Sequence, residues 1–181
     1  MHRGFVALLA LAASAFAQKR PFDVDALLSL VRISDPQISP DGRSVAFTVQ
    51  SIDAAANKRP KQIWMSPLYG GVPRRLTTDG ETNERARWSP DGRSLAYVSD
   101  RGGSSQIWIM NADGSYPHQV TSLATEADGV LYSPDGKNLL FTSLVFPECG
   151  DDTCNKQKLE AEKSSKVQAR IYEGLLYRHW T

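Results

Sequence analysis

The 181-residue chain is poor in the residue types that carry most enzyme chemistry. It has two cysteines and three histidines, and none of them form a cluster at metal-ligand spacing, so no zinc-type centre is encoded. No G-x-S-x-G elbow occurs anywhere, which removes the nucleophile of an α/β-hydrolase from these residues. Gly102-Gly103-Ser104-Ser105 reads as a loop between strands, not a strand-to-helix elbow. There is no phosphate-binding glycine motif, and no cofactor is expected. Charge lacks a sign as well: 21 basic against 20 acidic residues leave a net +1, whereas a nucleic-acid partner would call for a basic face.

The N-terminus carries a targeting signal. His2-Arg3 gives a positive start, Phe5 to Phe16 is apolar except for Ser14, and Ala15-Phe16-Ala17 precedes Gln18 as an A-x-A cleavage site. The run is too short to span a bilayer as a mature helix. A signal peptide over 1–17, cut between Ala17 and Gln18, and an exported, periplasmic or secreted product follow as expectations.

What the chain does have is repetition. Ser39-Pro40-Asp41-Gly42, Ser89-Pro90-Asp91-Gly92 and Ser133-Pro134-Asp135-Gly136 lie 50 and 44 residues apart. Proline presets φ, aspartate bonds its own backbone, and glycine takes φ > 0 without steric cost, so each is a tight turn. Each precedes a strand-like run: Val45–Val49, Leu95–Val98 and Leu139–Thr142. The 44-residue offset continues past the turns, linking Ile63-Trp64 to Ile107-Trp108, Gly70 to Gly114, Pro73 to Pro117 and Thr77 to Thr121. The six extra residues of the first offset fall in the polar loop 51–61, where an insertion costs least. A period of roughly 40 to 50 residues with about four short strands is that of a β-propeller blade. Three unrelated hairpins would not match at non-turn positions. Repetition also makes Asp41, Gly42, Asp91, Gly92, Asp135 and Gly136 structural turn residues, and Trp64 and Trp108 packing residues between blades.

The expected fold is all-β: a partial propeller of about two and a half blades, a short N-terminal helix and a helical insertion in the third blade. Val24, Leu27, Leu28 and Val31 recur at helical spacing behind Asp23, which predicts an amphipathic helix packed on the propeller. Blade one should cover 36–83, after a segment 18–35, blade two 84–126, and an incomplete blade three 127–181. Innermost strands are expected at Pro36–Ile38, Arg85–Trp88 and Val130–Tyr132. After Phe141 the pattern breaks: Pro147 to Cys154 and a charged stretch to Lys166 replace the Ile-Trp strand. Val167, Arg170, Ile171 and Leu175 then predict a helix capped by Ser164 or Ser165.

Cys149 and Cys154 have four residues between them. Export favours a disulfide; a metal site would need more ligands than nearby Asp151 and Asp152, and free thiols are the remaining reading. His118 sits in a predicted fourth strand with no partner in view. His179, between Arg178 and Trp180, reads as part of a structural cluster.

The repeats resemble those of the Tol–Pal periplasmic propeller protein and of the prolyl oligopeptidase family of serine peptidases. Three features side with the peptidases: the opening Phe22–Leu28 running through Ile33 to Gly42, the insertion with Cys149 and Cys154, and the end Ile171 to Trp180. Together these look like the bacterial dipeptidyl-peptidase and acylaminoacyl-peptidase branch. The resemblance implies an N-terminal propeller that gates access of short peptides to a C-terminal α/β-hydrolase domain bearing a Ser-Asp-His triad. That domain would be the chain's partner, and no triad residue maps onto these positions: catalytic residues here, none. The alternative is a non-catalytic periplasmic propeller that binds protein partners.

Overall fold

Each Ser-Pro-Asp-Gly turn joins two antiparallel strands, as its chemistry requires. The computed structural model of the chain describes residues 22–166. A first four-stranded sheet contains β1 (Arg32–Ile38), β2 (Ser44–Gln50), β3 (Lys61–Pro67) and β4 (Arg74–Arg75) in sequential order. A second repeats it with β5 (Asn83–Trp88), β6 (Ser94–Ser99), β7 (Gln106–Asn111) and β8 (His118–Gln119). The third pairs β9 (Asp128–Tyr132) with β10 (Leu139–Thr142). The register repeats too: Phe47 faces Trp64 in the first sheet, and Tyr97 faces Trp108 in the second. The extra residues between β2 and β3 form a small loop closed by paired backbone bonds between Asp53 and Lys58, at 2.9 and 3.0 Å.

The sheets stack face to face, and β6 explains why. Its side chains alternate between two layers. Leu95 and Tyr97 enter a core with Ala46, Ile63, Ala86 and Met110, against which Leu76, Trp88 and Trp108 pack. Ala96 and Val98 enter the next core with Ile107, Ala127 and Val130, flanked by Tyr132, Leu139 and Phe141. Both faces of the middle sheet are therefore covered, which is why β6 has no polar alternation. Each fully buried Leu or Ile contributes about 1.5–3 kcal/mol by leaving water. Trp64 and Trp108 are both half-buried, and Trp108 packs against the core shared by the first two sheets.

Strand alternation sends the β1–β2, β5–β6, β9–β10 turns and the β3–β4 and β7–β8 turns to one face. The β2–β3 and β6–β7 loops and the links between sheets lie on the other. All insertions are on that second face.

Two helical expectations need correction. The N-terminal helix, α1 (Val24–Leu28), is five residues long and buries none of them. Asp23 caps it as expected, accepting from the Ala26 amide at 2.8 Å. It stops early because the β1 ladder already begins at Arg32, opposite Gln50. Val31 is thereby left outside the helix, 57% exposed. The second correction concerns the insertion. Its helix, α2 (Asp152–Ser164), occupies the charged stretch, and Ser165 is its C-cap, not an N-cap. Asp151 supplies the N-cap, accepting from the Cys154 amide at 2.8 Å. With Asn155 its one buried residue, the helix has no apolar stripe to announce it. The stripe at Val167, Arg170, Ile171 and Leu175 lies outside the described residues, as do the signal segment with Ala17 and Gln18, and His179.

Candidate functional site

The inner strands β1, β5 and β9 stand side by side. Each contains a bulge at the residue four positions before the turn serine. Asp35, Arg85 and Gly129 there have φ of 51°, 57° and 63°, and the pairing register slips at these points in all three sheets. Left-handed backbone at a non-glycine residue costs on the order of 1–3 kcal/mol, so Asp35 and Arg85 are held there by their surroundings. A bulge re-aims side chains out of the ladder. Here it aims charges at one another: Arg87 reaches Asp35 across the first junction and Arg85 reaches Asp128 across the second, both at 2.7 Å. Lys61 pairs Glu84 at 2.7 Å. A cavity of about 450 Å³ opens on this wall, bordered by Asp35, Glu84, Arg85, Arg87 and Gly129. The wall is polar, its charges are compensated in pairs, and Arg85 and Asp128 are half exposed.

Behind the wall lies a buried polar network. Thr77 Oγ1 accepts from the Ile63 amide at 2.9 Å and donates to Gln62 Oε1 at 2.7 Å. Asn83 donates to Gln62 Oε1 at 3.2 Å and to the Asp79 carbonyl at 2.8 Å, and accepts from Ser99 Oγ at 2.7 Å. The next junction repeats half of this: Ile107 amide to Thr121 Oγ1 at 2.8 Å, and Thr121 Oγ1 to Gln106 Oε1 at 2.8 Å. Ala127 stands where Asn83 does, six residues before the turn serine. Gln62 and Gln106 were legible as a 44-residue repeat directly before Ile-Trp. Asn83 and the bulge pair Asp35 and Arg85 carry no such signal, because their counterparts differ in type.

The turn aspartates sit where their structural role places them. In each turn the serine hydroxyl donates to the aspartate Oδ1, at 2.6, 2.6 and 2.5 Å for Asp41, Asp91 and Asp135. The amide two residues on donates to the same oxygen at 3.1 Å in all three. The serine bond, then the amide bond, hold all three carboxyls below the usual carboxylate range. Gly42, Gly92 and Gly136 have φ near +70°. The turns also touch one another: a side chain on Gly92 would meet the Pro40 ring at 3.5 Å, and one on Gly136 the Pro90 ring at 3.5 Å.

Cys149 and Cys154 form a disulfide with Cα atoms 5.4 Å apart. It clasps the start of α2, whose Asp152 carboxylate accepts from the Ala124 amide at 3.1 Å and whose Asn155 accepts from the Phe146 amide at 3.0 Å. His118 is exposed on β8, with Nδ1 3.2 Å from the Tyr116 carbonyl. Burial pushes the Tyr97 hydroxyl up, and among the described residues neither its oxygen nor Trp108 Nε1 has a hydrogen-bond partner; the Arg101 guanidinium lies over the Trp108 ring at 4.9 Å. Among the described residues no three His, Cys, Asp or Glu side chains gather as a metal set. The wall offers hydrogen-bonding groups and paired charges; among the described residues no serine or cysteine stands against an imidazole.

Sequential four-stranded antiparallel sheets stacked about a row of inner strands define a β-propeller. The TolB beta propeller domain model, PD40, matches residues 30–168, and the chain belongs to that family. Two curated relatives match parts of it. The uncharacterized peptidase YuxL of Bacillus subtilis is 34% identical over 48% of the chain, and dipeptidyl-peptidase 5 of Porphyromonas gingivalis 36% identical over 42%. The matched stretches are 13% and 11% of those proteins, so the chain spans a small part of their length. Among solved structures, TolB from Acinetobacter baumannii aligns over 64% of this chain and 27% of its own, with 31% identity and a TM-score of 0.51. Among the described residues no helix is long and apolar enough to cross a membrane.

Proposed function

We propose that the chain is the N-terminal, substrate-gating propeller of an exported serine peptidase that cleaves short peptides. The observation that carries this reading is the pairing of peptidase relatives with an inner wall of matched charges, Arg87 with Asp35 and Arg85 with Asp128. Hydrolysis falls to an α/β-hydrolase domain of the same polypeptide, with its Ser-Asp-His triad outside these residues. The paired charges of the inner wall leave a polar passage with no net sign, which suits peptides of varied charge. Export is supported by the disulfide, a bond kept in oxidising compartments, and by the A-x-A site ahead of Gln18. Blades over 36–83, 84–126 and 127 onward, after a segment 18–35, remain part of this proposal.

A second reading, a non-catalytic periplasmic propeller that binds protein partners, is favoured by the TolB match. One experiment separates them. The coding sequence is read past Thr181, and its full product is assayed on a short peptide and on a folded protein. A G-x-S-x-G elbow downstream, with cleavage of the peptide alone, supports the gated peptidase. Further blades without an elbow, and no cleavage, overturn it in favour of the second reading.

A further inference from the structure

Asp-Gly occurs six times in the chain, at Asp41, Asp79, Asp91, Asp113, Asp128 and Asp135. In this dipeptide the backbone nitrogen after the aspartate meets the least steric resistance in attacking the side-chain carboxyl, because glycine has no Cβ. The fold treats the six sites differently.

Four are closed. The amides of Gly42, Gly92, Gly114 and Gly136 each donate backwards to the carbonyl two residues before the aspartate, at 2.8–2.9 Å. Their carboxyls point forwards, Asp113 accepting from the Ser115 amide at 2.8 Å and the other three from the amide two residues on. Nitrogen and carboxyl thus face apart. At Asp79 the carboxyl is drawn to Arg101 and Thr78 instead. At Asp128 the arrangement reverses: the Gly129 amide donates to the Oδ1 of Asp128 itself, at 2.7 Å. The attacking nitrogen already lies against the carboxyl it would attack, and that side chain is 50% exposed.

We infer that Asp128–Gly129 is a self-modification site, at which the chain converts aspartate to isoaspartate through a succinimide. The Gly129 nitrogen bonds to Cγ of the protonated carboxyl, the Cγ–OH bond breaks, and the hydroxyl leaves with the amide proton as water. Water then adds to the former backbone carbonyl of Asp128. Its bond to the Gly129 nitrogen breaks, leaving that nitrogen linked through Cγ and a free α-carboxylate. No oxidant or further reactant is needed. Arg85 slows the first step, since its pair with Oδ2 at 2.7 Å favours the ionised carboxylate. The product has one more backbone carbon at the β9 bulge and takes the carboxylate away from Arg85. The ion pair across the second junction of the wall is then lost.

The test is ageing of the intact protein at physiological temperature and neutral pH, followed by peptide mapping that separates aspartate from isoaspartate. A parallel sample is aged in urea. Freeing a closed turn costs one hydrogen bond and a carboxyl rotation, so native Asp128 should convert about tenfold faster than Asp41, Asp91, Asp113 or Asp135. In urea the six sites should converge. Arg85→Ala should accelerate conversion at Asp128, and Gly129→Ala should slow it. The inference is overturned if native Asp128 converts no faster than the four turn sites or more slowly than Asp79. It is equally overturned if its lead persists in urea, where the fold cannot be the cause.

Discussion

Replacing Asn83 by alanine tests whether the polar network between the first two sheets is a fastening or a filler. Three hydrogen bonds vanish, but they are not equivalent. Gln62 Oε1 keeps the Thr77 hydroxyl. The Asp79 carbonyl lies beside a side chain that is 71% exposed, so water can replace its donor. Ser99 is fully buried and loses its acceptor outright. The hydroxyl still accepts from the Arg101 amide at 3.3 Å, but a buried donor left without an acceptor costs about 1–3 kcal/mol, which is roughly 5- to 140-fold in an opening equilibrium. Amide hydrogen exchange along β5 and β6 should quicken by that factor. Ser99→Ala in the Asn83→Ala background should recover part of the loss, because it removes the hydroxyl left without an acceptor, although the Arg101 amide then loses its own acceptor at 3.3 Å. The next junction already uses this solution in part: with Ala127 in place, the Ser143 hydroxyl turns to the Glu126 carbonyl at 2.5 Å. Less than about a twofold change for the single variant, or a double variant worse than the single, would refute the reasoning.

Other outcomes follow from the turns and the clasp. The carboxyls of Asp41, Asp91 and Asp135 are held below their ordinary value in the folded chain. Each turn's contribution is complete above about pH 3.9 and is lost as pH falls through the lower folded value. Thermal melting followed downward from neutral pH should therefore drop below about pH 4, and the triple Asp→Asn variant should flatten that limb. Reducing Cys149–Cys154 removes a constraint worth about 2 kcal/mol for so short a loop. Its effect should be local: the Ala124 and Phe146 amides, which donate to Asp152 and Asn155, lose exchange protection on adding a dithiol, while β2 and β6 keep theirs.

The blade repeat was legible because turns obey local chemistry. A serine, a proline, an aspartate and a glycine make the same turn wherever they fall, so three copies gave the sheet order and register directly. Trp108 and the doubly buried β6 followed from the same periodicity. The wall was not legible for the opposite reason. Asp35, Arg85 and Gly129 share a backbone conformation and not a side chain, and their ion pairs cross between strands some fifty residues apart in sequence. Asn83 is hidden likewise, since its value lies in partners from three separate segments. Both expected helices exist, but apolar periodicity overran the first, since Val31 has helical spacing and lies just ahead of the β1 ladder, and it had no stripe by which to announce α2, whose one buried residue is Asn155.

The stacked turns separate what a turn demands of itself from what its neighbour demands of it. At each step the proline of the preceding turn stands 3.5 Å from where a glycine Cβ would be, an ordinary contact distance, so the positive φ and not the neighbouring sheet calls for glycine. An alanine at Gly92 would strain a left-handed backbone, while its Cβ would meet the Pro40 ring only at an ordinary contact distance of 3.5 Å. The requirement for glycine thus arises inside each turn and not from its neighbour, so the turns can stack in register without any one of them depending on the next for its shape.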